Sequence, residues 1–292
     1  MSSESEERWV VAGPLSLAID PSLAGRVTQL CHRDRNLLGT TSDNPTNWGA
    51  TYWTSPQSDW GWPPISAVDS LPYEILQAST ALRLLSSVAR LDEREFQIEK
   101  EFAVGPHEGT IDAVYTIHNC GPVEFSMANW EISRVQPGGL TFYPTGHQEL
   151  TPIAPHGALV TEKSFATTFF DHARFERGRS LKLHADGKGG YLAHVCDDLL
   201  MLKLFRDSEV SEQAPGEGEC EIFANEDGKY VEIEVQGSYR LVPCGGQHST
   251  KIRTVVVELP EDLPRGDREG LRRFADQQAA RYCRGLETQK HV

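Results

Sequence analysis

Apolar and polar residues alternate along most of this chain. In the segment 230–236, Tyr230, Glu232, Glu234 and Gln236 alternate with three aliphatic residues, so we expect all four polar side chains on one face of a strand. About sixteen segments of strand length lie between residues 9 and 259, separated by short Gly, Pro, Asp or Ser connections. This pattern predicts an all-β protein built as a large antiparallel sandwich.

A helical period appears convincingly at one place, about residues 268–284. Asp267 precedes this segment as a candidate N-cap, Gly285 follows it, and its apolar residues form one stripe. We therefore expect one C-terminal helix that lies across a sheet face or edge. Because no Pro/Ser-rich linker divides the chain, residues 8–286 are expected to form a single domain, with a disordered arm at 1–7 and a tail at 287–292.

Alternation stops between about residues 38 and 70, where the sequence predicts an irregular segment. Four of the six tryptophans fall between Trp48 and Pro64, interleaved with Gln57, Asp59 and several prolines. Indole faces bind C–H surfaces, and short amides and carboxylates bind hydroxyls, so this composition favours a pocket for a sugar or another polyol. The alternative is an aromatic loop that packs on itself.

Composition narrows the possible partners. The 292 residues include 28 basic and 42 acidic side chains, a formal charge of −14, which argues against nucleic acid and anionic membranes and favours a neutral or cationic small molecule. The six scattered cysteines, the polar N-terminus and the absence of a long apolar run predict a cytoplasmic protein without a membrane span. We predict no metal site, dinucleotide motif or other cofactor, and the sequence does not indicate the oligomeric state.

A further cluster of aromatic and charged residues lies at 127–134. On a strand, Trp130, Ile132 and Arg134 share one face, while Glu131 lies on the other. Unless a bulge intervenes, both sets cannot enter one pocket. These side chains could bracket a ligand, and the alternative is an ion pair within or between strands.

Together these segments resemble the aldose 1-epimerase, or galactose mutarotase-like, superfamily. Residues 233–246 and the strand at 251–259 resemble the family's Leu-Glu-Thr-Gln segment, Pro-Gly turn and last strand. Residues 115–131 resemble its strand that ends in Asn and the next strand, which leads to a catalytic His. Residues 53–64 resemble the substrate loop of the hexose-phosphate epimerase branch, and their Ser-Pro-Gln-Ser-Asp-Trp-Gly-Trp-Pro-Pro run indicates a divergent branch. The resemblance implies an antiparallel β-supersandwich with the ligand on its concave sheet and Glu234 as the general base.

The chain departs from the family pattern at the general acid. Trp130 or Asn129 stands where the family's acid His is expected, and an indole is not acidic enough to protonate a leaving oxygen. Other candidates for the acid are Lys203, inside an apolar strand, His147, after a Tyr-Pro-Thr-Gly turn, and, with less support, Asp59. The alternatives for the first two are a salt-bridged lysine and a surface histidine.

We therefore expect an aldose 1-epimerase-like protein that binds a sugar or a polyhydroxylated small molecule and isomerises it by acid–base chemistry. The candidate catalytic residues are Glu234, Asp59, Lys203 and His147. The expected ligand-binding residues come from the clusters above: Trp53, Gln57, Trp60, Trp62, Trp130, Glu131, Arg134 and Glu232. Two alternatives stay open: a catalytically inactive carbohydrate-binding protein, and a pocket recruited to isomerise or cyclise a non-sugar biosynthetic intermediate.

Overall fold

The computed structural model describes residues 7–146 and 161–286. His147, residues 1–6 of the predicted arm and the predicted tail at 287–292 lie outside the described residues. The first ten strands are β1 (Arg8–Ala12), β2 (Leu15–Asp20), β3 (Arg26–His32), β4 (Arg35–Asn36), β5 (Ala50–Ser55), β6 (Glu74–Ala78), β7 (Ala81–Leu85), β8 (Ala89–Leu91), β9 (Arg94–Val104) and β10 (Thr110–Asn119). The others are β11 (Phe125–Val135), β12 (Leu140–Pro144), β13 (Thr161–Ser164), β14 (Thr167–Asp171), β15 (Leu181–Ala185), β16 (Tyr191–Cys196), β17 (Leu199–Leu204), β18 (Cys220–Ala224), β19 (Val231–Gln236), β20 (Arg240–Val242) and β21 (Gln247–Glu258). The α-helices among these residues are α1 (Ser66–Asp69) and α2 (Arg268–Tyr282).

The strands form two antiparallel sheets. In the first sheet the order is β1-β2-β3-β5-β11-β19-β18-β15, with β4 beside β3 and β20 beside β11. In the second sheet the order is β13-β14-β12-β16-β17-β21-β10-β9-β7-β6, with β8 beside β9. The two sheets and the C-terminal α2 confirm the predicted all-β antiparallel sandwich with one long helix at its end.

The main hydrophobic core lies between the inner faces of the two sheets. Strand β19 shows how the sequence specifies this packing: Val231, Ile233 and Val235 are at most 2% exposed and belong to that core. Burying an aliphatic side chain of this size contributes about 1.5–3 kcal/mol. As the alternation predicts, Glu232 and Glu234 project from the opposite, outer face of the first sheet.

Helix α2 covers part of the outer face of the second sheet. The backbone N–H of Gly270 donates to Oδ1 of Asp267 at 2.9 Å, which confirms the predicted N-cap. Leu271, Ala275 and Ala279 are buried in a second apolar cluster with residues of the strands beneath them. The amphipathic stripe in the sequence therefore gave the correct contact face.

Arg253 connects this helix to the sheet. Its side chain on β21 is 1% exposed and donates to both carboxylate oxygens of Asp112 on β10, at 2.6 and 2.9 Å. It also donates to the backbone carbonyls of Tyr282 and Arg284, at 2.5 and 2.8 Å. Carbonyls at a helix C-terminus lack partners within the helix, so a buried guanidinium both satisfies them and complements the helix dipole.

The segment that the sequence predicts as irregular contains a strand. Residues 50–55 form β5, which pairs with β11, and every one of them is buried. Tyr52 packs on Tyr115 of the second sheet, whereas Trp53 contacts Trp130 on the outer face. Because both faces of β5 are covered, its sequence lacks the apolar–polar alternation that reveals a half-exposed strand. In the described ranges no helix is long and apolar enough to cross a bilayer.

Candidate functional site

A cavity of about 620 Å³ opens on the outer face of the first sheet. Aromatic residues form much of its wall: Trp53, Trp62, Trp130, Phe223 and Tyr230. The ring of Trp53 meets the other two indoles edge-on, with centroids 5.9 Å from Trp62 and 5.3 Å from Trp130. The volume and the apolar wall suit a small-molecule ligand.

Three adjacent strands bring ionisable side chains together in the floor of this cavity. Antiparallel pairing places His184 on β15 opposite Glu221 on β18, and Glu221 opposite Glu234 on β19. Directly paired residues project from the same face of a sheet, so these three form one row. Lys182, two residues before His184 on β15, projects from that face as well.

The ammonium group of Lys182 contacts two carboxyl groups at once. Its Nζ lies 2.8 and 2.7 Å from the two oxygens of Glu234 and 2.5 Å from Oε2 of Glu221. The indole N–H of Trp130 donates to Glu234 at 2.8 Å, and Lys182 Nζ lies 4.9 Å from the centroid of the Trp130 ring. Both carboxyl groups are fully buried. One cation therefore balances two acidic side chains.

This sharing separates the proton affinities of the two acids. Burial raises the pKa of Glu234 to about 8, and although the Lys182 ammonium opposes this shift, the Glu221 and Glu232 carboxylates add to it. Burial also acts on Glu221, but the Lys182 ammonium and the neighbouring His184 outweigh it and bring the pKa of Glu221 below its ordinary value. Although burial disfavours its charged form, the pKa of Lys182 is raised by the two carboxylates. The two carboxyl groups thus titrate as a coupled pair, and near neutral pH they share one proton.

His184 presents an unpaired nitrogen at the cavity. Its Nδ1 lies 3.2 Å from Oε1 of Glu221, and its side chain is 10% exposed. Both ring nitrogens are buried and form no hydrogen bond in the described part of the chain, so the contact of Nδ1 with Glu221 is electrostatic. A carboxylate beside Nδ1 favours the tautomer with a proton there, which leaves Nε2 able to accept a proton from a ligand.

Glu217 adds a third carboxyl group to the cavity lining, beside those of Glu221 and Glu232. It is 9% exposed and accepts hydrogen bonds from Ser55 Oγ at 2.8 Å, from the backbone N–H of Gln57 at 2.5 Å and from Gln236 Nε2 at 2.5 Å. Burial, together with the Glu221 carboxylate, raises the pKa of Glu217. These bonds attach the loop after β5 to the segment before β18, so they also fix one side of the cavity.

Most of the predicted ligand-binding residues lie at this cavity or directly behind its wall. Those that line it are Trp53, Gln57, Trp62, Trp130 and Glu232. Arg134 lies behind them, 1% exposed, and donates to Glu232 at 2.8 Å. Trp60 packs against Trp53, with ring centroids 5.8 Å apart. Arg134 and Trp60 thus support the wall from behind.

Three predicted site residues lie elsewhere. Asp59 pairs with Arg94 at 2.5 Å and does not line the cavity. Glu131 and Lys203 form a buried ion pair, joined by Ser133, between the two sheets. Since side chains on the inner face cannot reach a cavity on the outer face, this placement differs from the expectation that Glu131 binds the ligand and that Lys203 supplies the acid.

Sequence reasoning did not single out four residues that the structure places in this cavity: Lys182, His184, Glu217 and Glu221. The signal for two of them was present, because Lys182 and His184 alternate with Leu181, Leu183 and Ala185 as regularly as residues 230–236 do. Glu217 lies in a connection without periodicity, where the sequence offers no such signal.

The cavity floor offers little to a metal ion. Within residues 7–146 and 161–286, no group of three or more His, Cys, Asp and Glu side chains converges as metal ligands. The position between Glu221 and Glu234, where a cation would be bound, is taken by the ammonium group of Lys182.

Solved structures match this chain, whereas no protein-family model and no curated protein does. A galactose mutarotase-like protein from Lactobacillus casei matches with a TM-score of 0.61 at 11% identity, over 86% of this chain and 100% of that one. A galactose mutarotase related enzyme from Lactobacillus acidophilus matches with a TM-score of 0.57 at 8% identity, over 88% of this chain and 99% of that one. A galactose mutarotase-like protein from Clostridium acetobutylicum gives 0.54 at 10% identity, over 86% and 95%. The resemblance inferred from the sequence is therefore confirmed at the level of architecture: the chain has the galactose mutarotase-like fold.

Proposed function

We propose that this cavity binds a sugar or another small polyol and isomerises it by acid–base chemistry. The observation that carries the proposal is the set of His184, Glu221 and Lys182 in the floor of an aromatic-walled cavity, with Glu234 buried directly behind it in the same row. Aromatic faces pack against the C–H face of a sugar ring, and convergent polar groups bind its hydroxyls. The names of the structural neighbours, which refer to galactose mutarotase, support the same class of ligand.

Isomerisation at an anomeric carbon requires one oxygen to lose a proton while another gains one. In this proposal Nε2 of His184 takes the proton from the hydroxyl, and the Glu221 carboxylate stabilises the imidazolium that forms. The ammonium of Lys182 relays a proton to the ring oxygen: it passes on one proton as it takes up the proton that the Glu221 and Glu234 carboxyl groups share, so the net donor is this carboxyl pair and Lys182 stays charged. After the carbonyl group rotates, the same transfers in reverse close the ring, so protons and charge balance.

Glu234 has a different position here from the one that the family resemblance implies. It is fully buried, receives donors from Lys182 and Trp130, and does not line the cavity. We therefore propose it as a positioning residue that acts through Lys182, not as the base that touches the ligand.

The test combines binding and turnover. Tryptophan fluorescence titrated with aldoses reports binding, because three indoles line the cavity, and NMR exchange between sugar anomers reports turnover. We expect saturable binding and exchange faster than the spontaneous rate. His184→Gln should slow the exchange by about 10²–10⁴-fold while binding persists. His118→Gln is the matched control, since this histidine pairs with Glu99 on the second sheet.

One observation favours a second candidate function, a carbohydrate-binding protein without catalysis. The carboxyl group at the family's base position is held by three hydrogen bonds and cannot contact a ligand in this arrangement. Saturable binding without any acceleration of exchange in the wild-type protein would favour this second function. Absence of binding to every aldose would contradict both.

A further inference from the structure

The charges around the cavity leave one carboxyl group without a cationic partner. Lys182 is shared by Glu221 and Glu234, and Arg134 pairs with Glu232. The donors to Glu217 are a hydroxyl, a backbone amide and a side-chain amide, all neutral. Among the residues that the structure describes, no lysine or arginine lies within ion-pair distance of Glu217, although it is about nine-tenths buried.

Glu217 also has room for one more donor. A carboxylate offers about four acceptor positions, and the three bonds fill one on Oε1 and two on Oε2. Since this side chain lines the cavity, a donor on the ligand can reach the remaining position on Oε1. The unpaired Nε2 of His184 in the same cavity is a second polar atom that a ligand would satisfy.

The aromatic wall suits a cation as well. The Lys182 ammonium lies over the Trp130 ring at 4.9 Å, and the Arg134 guanidinium lies over the Trp53 ring at 5.5 Å. Indole and phenol faces attract cations through their quadrupole, and the wall has further rings at Trp62 and Tyr230. A phosphate or carboxylate on the ligand would instead meet acidic groups, because both nearby cations already have partners.

We infer that the substrate of this cavity is an amine-bearing sugar or polyol whose ammonium group binds Glu217, and that phosphorylated sugars are excluded. This inference rests on the proposed function and specifies its class of substrate. The overall charge of −14 also favours the approach of a cation over that of an anion.

Fluorescence titrations with matched ligands test the inference: glucose, glucosamine and glucose 6-phosphate, and the galactose and mannose counterparts, each at a pH below the pKa of the amine. We expect the amino sugar to bind about tenfold tighter than the neutral sugar, as a charge-assisted hydrogen bond allows, and the phosphate about tenfold more weakly. Glu217→Gln should bring the ratio of the amino-sugar affinity to the neutral-sugar affinity close to one, a ratio measured within the same variant. Glu226→Gln is the control, because it alters the net charge equally at an exposed turn.

The possible results distinguish a failure of the amino-sugar inference from a failure of the proposed function. A neutral sugar that binds as tightly as its amino counterpart overturns the inference but leaves the proposed function in place. An amino-sugar preference that survives in a folded Glu217→Gln protein overturns the assignment of Glu217. If that variant does not fold, the ranking of the three ligands in the wild-type protein decides. Failure of every sugar to bind overturns both proposals.

Discussion

Burial of Glu234 lowers the stability of the folded protein when this carboxyl group ionises, because Lys182, its only cationic partner among the described residues, is shared with Glu221. The native protein keeps a proton on this carboxyl up to about pH 8, whereas an unshifted glutamate loses it near 4.5. Between these values the native state binds more protons than the unfolded chain, so the free energy of unfolding falls as the pH rises. Below this window both states are protonated and the penalty disappears.

The prediction at this residue uses Glu234→Gln, which keeps the shape of the side chain and cannot ionise. We expect the wild-type protein to lose stability relative to this variant as the pH rises from about 4.5 to 8, with little further change at lower pH. Urea unfolding at a series of pH values measures the difference. Parallel stability curves for the two proteins would show that Glu234 ionises normally in the folded state.

At the scale of single elements, strand β11 has two separate roles. Its inner face carries Glu131, which pairs with Lys203 on β17 of the second sheet, and its outer face carries Trp130 in the cavity wall. The burial of Lys203 lowers its pKa, against the opposing effect of the Glu131 carboxylate. The ion pair therefore belongs to the contact between the sheets.

We expect Lys203→Met to destabilise the protein by about 3–5 kcal/mol, because it leaves Glu131 as an unpaired buried carboxylate. Adding Glu131→Leu should recover most of this loss, since two well-packed apolar side chains often replace a buried ion pair without cost. Urea unfolding measures both changes, and sugar exchange in the double variant should equal that of the wild type. A stable double variant without exchange would restore Lys203 as a candidate acid.

The same strands show how far the sequence could be interpreted. The apolar–polar alternation correctly predicted which side chains of β11 and β19 share a face. The N-cap and the apolar stripe correctly predicted α2 and its contact face. Which side chains meet depends on the pairing of strands that are distant in the chain: β15 and β18 are separated by more than thirty residues, and only their register brings His184 to Glu221. The sequence also could not predict that Lys203 pairs with Glu131, because this contact depends on how the inner faces of the two sheets pack against each other.

At the scale of the whole molecule, the two outer faces of the sandwich are used differently. The first carries the cavity, and the second is partly covered by α2, whose C-terminal carbonyls are bound by Arg253. No residue that lines the cavity belongs to the apolar cluster between α2 and the second sheet. Changes to the helix contact should therefore leave the cavity intact.

We predict that Arg253→Met lowers the free energy of unfolding by about 1–3 kcal/mol, because Asp112 loses its buried partner and keeps only the partly exposed Lys251 at 3.3 Å. Arg253→Lys should cost less but remain destabilising, since an ammonium cannot replace the forked geometry. Hydrogen exchange of the α2 amides should accelerate in both variants, while sugar titrations stay unchanged. Arg265→Met, at an exposed ion pair, should change stability by no more than about 0.5 kcal/mol. Unaltered α2 exchange in Arg253→Met would mean that apolar packing alone retains the helix.

The alternation along β11 also bears on how such a protein diversifies. Successive residues of this strand have different surroundings: Glu131 and Ser133, at odd positions, join the two sheets, and Trp130, at an even position, lines the cavity. Mutations in one register can therefore accumulate while the other is kept. Substitutions on the outer face of this strand can therefore change the lining of the cavity while the ion pair that joins the two sheets, and with it the fold, is kept.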